Sequence, residues 1–221
     1  MPTSRTRFKE MRSVFCSDTP SMVHVYLAQM SVLYEDLRIE LYGIEAKDLG
    51  KLDSTDEKYR RHYFLRRVIG TWSEFAEAIR LLDKSEEFDR IRKRFTASSA
   101  RRWNRAVRFF GKHENFVKAV RNDVGGHFGP GAAKFGVKRV GAGVLGKFER
   151  TNLDSRRAEM RLHFAGEIAA TATFRRLPGG EDKEASQARL RGLMRIVTAG
   201  WGYVTYATSS VAADYLWDRF R

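Results

Sequence analysis

Between residues 56 and 84 the chain sets Leu65, Val68, Trp72, Phe75, Ile79 and Leu82 at intervals of three and four. At 3.6 residues per turn, such intervals line six large apolar groups along one side of a helix, whereas a strand would split them between two faces. A helix of this kind must bury its apolar side against others. With four prolines in 221 residues, little else in the chain prevents further long helices. These features predict a mainly α fold.

Similar patterns recur on both sides. Met22, Tyr26, Leu33, Leu37, Leu41 and Ile44 repeat every three to four positions and predict a helix from about 21 to 46. Gly50 and Asp53-Ser54-Thr55-Asp56 make a turn, with Ser54 or Thr55 able to cap the helix that follows. The chain continues helically over 89–95, with Phe88, Ile91 and Phe95 on one side. Ser98-Ser99 reads as a fresh cap before a two-faced helix. Trp103, Val107 and Phe110 form its apolar side, and Arg101, Arg105 and Arg108 keep helical spacing elsewhere on the cylinder. Gly111 is expected to end that helix, and a shorter one is expected over 114–124. Four helices joined by short turns meet the requirement for a helix bundle.

After residue 127 the texture changes, with six glycines between 129 and 146. Segments 144–150 and 160–164 alternate in the manner of short strands and allow a small β-hairpin. A helix over 165–176 and a long one over 184–220, with a candidate break at Gly200-Trp201-Gly202, complete the chain. The expected organisation is a flexible basic arm over 1–20, a helical bundle over 21–140 and a C-terminal helical extension over 141–221 packed on it. Residues 125–146 are the best candidate for a seam.

Charge narrows the range of partners. The net charge is +14 with a pI near 10.1, which favours polyanions. Residues 21–57 carry 3 basic and 8 acidic side chains, while residues 58–150 carry 23 basic and 9 acidic. Arg66 and Arg67 on one helix, and Arg101, Arg102, Arg105 and Arg108 on another, are the candidate nucleic-acid contacts. Phosphate contacts by such groups supply most non-specific affinity. Arg101-Arg102-Trp103-Asn104-Arg105 mixes cations with an aromatic, but Trp103 is expected in the core with only the arginines outward, giving binding without sequence preference.

The chemistry-bearing stretch is Arg121-Asn122-Asp123-Val124-Gly125-Gly126-His127. An unbroken helix would turn about 600° over the six steps from Arg121 to His127, leaving their side chains roughly 120° apart. Gly125 and Gly126 relieve this, because either can adopt the left-handed conformation that ends a helix and swings His127 back. Arg121 would then stabilise charge on a phosphoryl group, Asn122 would orient an oxygen, and His127 would move a proton. The bland alternative is an arginine capping carbonyls and a loop histidine.

The pattern of an arginine, a polar residue and a histidine about four to six positions on resembles the signature of HEPN-like helical domains. The resemblance covers roughly residues 20–140. It implies an all-helical bundle that dimerises, and in many members a metal-independent endoribonuclease whose substrate's own 2′-hydroxyl attacks the phosphodiester. Arg121, Asn122 and His127 occupy the matching positions. The resemblance also leaves room for an antitoxin-like protein partner, and many such domains are binding modules without nuclease activity.

Other signals are weaker. His24, His62, His113, His127 and His163 show no metal-ligand spacing, and no cofactor or metal is expected. Gly141-Ala142-Gly143-Val144-Leu145-Gly146 matches the dinucleotide fingerprint but lacks a βαβ context. Glu74 and Glu77 share a helix without an acid–base partner. Cys16 is the sole cysteine, which fits a reducing, cytoplasmic setting. The stretch 196–213 contains no charged residue, but its threonines, serines and glycines favour a core or interface helix over a membrane span.

Overall fold

In a computed structural model of the chain, the described residues are 21–45, 54–122, 130–139, 148–152, 158–162, 168, 171, 183–211, 214 and 215. The expected arm over 1–20, Cys16, and residues 123–127 lie outside them. The fold is mainly α. Its helices are α1 (Met22–Glu45), α2 (Ser54–Asp83), α3 (Glu86–Arg92), α4 (Ala97–Val120), α5 (Pro130–Arg139) and α6 (Lys183–Val211). Strand β1 (Phe148–Asn152) pairs antiparallel with β2 (Ala158–Leu162), Arg150 facing Met160.

Contacts group the chain into two interleaved units. One comprises residues 1–37, 71–114 and 196–221, and the other 38–70 and 115–195. In the first, Trp72, Phe75, Ile79 and Leu82 of α2 are all buried, as the spacing predicts. From α1 the same unit buries Val23, Leu27, Met30, Leu33 and Leu37. Leu33 and Leu37 are buried as expected, but at its start the stripe is displaced by one residue: Met22 is 58% exposed, and Val23 is buried in its place.

Trp103 of α4 is fully buried, and its ring lies 4.7 Å from Phe88 of α3, centroid to centroid. Its indole N–H donates to Asp83 Oδ1 at 2.8 Å, and Arg92 donates to the same oxygen at 2.9 Å. One carboxylate at the end of α2 thus satisfies a buried donor of α4 and an arginine of α3. Leaving such a buried N–H without an acceptor costs about 1–3 kcal/mol.

Two helix ends differ from expectation. The cap of α4 is Thr96, whose Oγ1 accepts from the Ser99 N–H at 3.2 Å, rather than Ser98 or Ser99. Gly111 does not end α4, which runs on to Val120. Flanking Phe110 and Val117 are buried, and their packing outweighs the roughly 1 kcal/mol that a mid-helix glycine costs relative to alanine.

Helix α6 likewise passes unbroken through Gly200 and Gly202. Gly200 is a close-approach point. A Cβ there would overlap Nε1 of Trp72 and lie 2.7 Å from its Cε2. Nearby, Trp201 stacks on Tyr34 with ring centroids 5.1 Å apart.

In the second unit, Leu65, Val68 and Ile69 of α2 are buried, and Gly43 of α1 lies beneath the Phe64 ring. The backbone carbonyl of Gly43 accepts from Arg60. Gly136 of α5 faces the carbonyl of Ile168, only 2.6 Å from where a Cβ would stand. α5 has no counterpart among the expected elements. Of the helix expected over 165–176, only residues 168 and 171 fall among the described ones, and both are helical.

Candidate nucleic-acid interface

The basic surface is built on α4. Its buried side (Trp103, Ala106, Phe110) fixes which side faces out. At 100° per residue, Arg101, Arg105, Arg108 and Lys112 fall within about 60° of arc, and Arg102 stands one step aside. All five are exposed. From Arg101 to Lys112 the row extends roughly 16 Å along the axis. Within α4, Glu114 is the sole acidic residue against six basic ones.

Among the described residues no ion pair engages these five cations, and Arg108 instead donates to the Asn104 carbonyl at 3.2 Å. Their charge is therefore directed to solvent. Lys112 joins the row although the arginine pattern alone did not single it out. Its signal was its position, four residues after Arg108.

Arg66 and Arg67 lie in the other unit. Arg66 is half-buried. Arg67 is exposed but places Nε 3.3 Å from a carboxylate oxygen of Glu40, whose side chain is largely buried. That pairing offsets much of the positive field Arg67 would offer a phosphate.

Arg121 and Asn122 follow α4 in a single widened turn, and both are exposed. His127 lies outside the described residues.

Beside the cation row stands a group of rings that the linear sequence did not expose. Arg101, Arg105, Phe109 and His113 follow one another at intervals of four, so each is a surface neighbour of the next. Phe109 stacks on Tyr203 of α6 at 4.2 Å with 18° between planes, and meets the tilted ring of His113 at 4.7 Å. Tyr203 in turn meets Tyr206 edge-on at 5.8 Å, and Tyr206 is 40% exposed. Burial, reinforced by the adjacent Lys112, pushes the His113 imidazole below its usual range, so it is neutral at pH 7. The faint signal for this group was a histidine four residues after a phenylalanine. The tyrosines come from a helix far away in sequence.

Among the described residues no group of three His, Cys, Asp or Glu side chains is placed to hold a metal ion, and no helix is long and apolar enough to cross a membrane. Comparison with family models, with curated proteins and with solved structures found no match.

Proposed function

We propose that the protein binds RNA by laying the phosphate backbone along the α4 row of Arg101, Arg105, Arg108 and Lys112, with Arg102 at its flank. The observation that carries this reading is the exposure of five cations on one helix face, with no ion pair among the described residues to neutralise them. Titrating a labelled RNA at several salt concentrations tests it. Log affinity should fall linearly with log salt, and the slope should shrink when the row is neutralised. Binding that is indifferent to salt would reject the reading.

The same proposal extends to cleavage without a metal. His127 would take the proton of a ribose 2′-hydroxyl as that oxygen attacks the adjacent phosphorus. The bond to the 5′-oxygen breaks and that oxygen takes a proton from water, leaving a cyclic phosphate and a free 5′-hydroxyl; His127 returns its proton to solvent, while Arg121 steadies the charge on the phosphoryl oxygens and Asn122 orients one of them. Exposure of Arg121 and Asn122 is compatible with access to such a substrate. Arg121→Ala and His127→Ala should each abolish product while leaving helical content unchanged by circular dichroism. Salt-sensitive binding with no product from the wild-type chain would instead define a non-catalytic binding module.

A homodimer also belongs to this reading, and α1 supports it. Its exposed apolar residues are Met22, Val25, Val32, Ile39 and Tyr42. Their spacing is symmetric about Val32, so a second α1 running antiparallel would set Met22 against Tyr42 and Val25 against Ile39, as a two-fold interface requires. Val32→Glu should convert a dimer to monomer in sedimentation. A monomeric wild type would remove the idea.

A further inference from the structure

We propose that the ring group beside the α4 row is a stacking platform, and that the RNA this protein takes is single-stranded. The proposal rests on the RNA-binding reading above and adds the state of the strand and the residues that sense it. Proteins that hold single strands combine a cationic track for the backbone with aromatic faces for the bases.

Both parts are present within one unit of this protein. The track is Arg101, Arg105, Arg108 and Lys112. The platform begins at Phe109, four residues after Arg105 and next to Arg108, and passes through Tyr203 to Tyr206 in ring-to-ring steps of 4.2 and 5.8 Å. Its inner members are packed, so they hold the outer one in place, while Tyr206 leaves 40% of its surface to solvent. A backbone held on the track would thus have an aromatic surface to one side, reached by bases that have left a duplex. In a duplex the base faces are stacked on one another and unavailable. The neutral His113 extends the ring row without adding charge, so the two parts act by separable physics: one responds to salt and the other to the presence of bases.

The experiment measures fluorescence anisotropy of the full chain with three probes of equal length: a single-stranded oligonucleotide of mixed sequence, the same strand as a duplex, and an abasic strand with the same phosphates. The wild-type chain should bind the single strand about ten-fold more tightly than the abasic strand, the order of effect that stacking of one base provides. Tyr206→Ala should remove that preference and leave affinity for the abasic strand and the salt slope unchanged, whereas Tyr206→Phe should keep it. A purely structural tyrosine would change the unfolding midpoint without selecting among probes. Equal wild-type affinity for base-bearing and abasic strands, or a Tyr206→Ala chain that keeps the preference, overturns the platform while leaving the backbone track intact. If neutralising Arg101, Arg105 and Arg108 leaves all three affinities unchanged, the RNA-binding reading fails and the platform falls with it.

Discussion

Gly200→Ala is expected to destabilise the protein by about 2 kcal/mol, whereas Gly202→Ala, two residues along the same helix, should stabilise it by about 0.5–1 kcal/mol. In both cases alanine gains helix propensity and reduces the freedom of the unfolded chain. The difference lies in what the new methyl meets. At Gly202 nothing stands within 4 Å of it. At Gly200 it enters the indole of Trp72, which is 2% exposed and cannot swing aside. Phe110 lies 4.8 Å from that indole and Phe109 lies 5.7 Å from it, and Phe110 in turn packs on Phe75 at 5.8 Å. Moving the indole therefore moves the aromatic core of α2 and α4. Urea unfolding followed by circular dichroism checks the pair, and shifts of the same sign would contradict the close approach.

Replacing Arg101, Arg105 and Arg108 together by glutamine should weaken RNA binding about a hundred-fold at 0.1 M salt. Each phosphate contact on a single strand contributes about 0.7 to the slope of log affinity against log salt. Losing three contacts flattens the slope by about 2, and over the decade from 1 M to 0.1 M salt that amounts to two powers of ten. The three side chains are exposed, so the fold should tolerate glutamine with a change in stability within about 0.5 kcal/mol. A triple variant that melts normally, binds as tightly as the wild type and keeps its slope would place the RNA site elsewhere or nowhere.

Much of the helical layout was legible because large apolar residues at 3.6 spacing leave one solution. The α2 stripe from Leu65 to Leu82 is buried throughout its length. The outward arginines of α4 were legible for the same reason, since Trp103 and Phe110 fix the opposite face. Glycine misled the reading in two ways. At Gly111 and Gly200-Trp201-Gly202 it suggested ends or breaks, but neighbouring aromatic packing carries the helices through. In α5 its glycines and lysines diluted the apolar pattern. Pro130, which opens that helix with the fixed φ a first turn requires, was the usable clue.

The start of the α1 stripe was misplaced by one residue because Met22 and Val23 are both apolar, and only tertiary contacts decide between them, whereas Leu33 and Leu37 are buried as expected. At the candidate site, charge was legible and companionship was not. Nothing local joins Phe109 to Tyr203, and nothing local shows that Arg67 stands against Glu40.

The two buried indoles of α2 and α4 differ in one respect with a practical consequence. Trp103 gives its N–H to a carboxylate, whereas no acceptor for the Trp72 N–H is found among the described residues. An indole in a dry, apolar setting without a hydrogen bond emits at the short-wavelength end of the tryptophan range. Blue-edge fluorescence should therefore report selectively on the seat of Trp72 against α6, giving an intrinsic optical gauge of whether that helix crossing is closed.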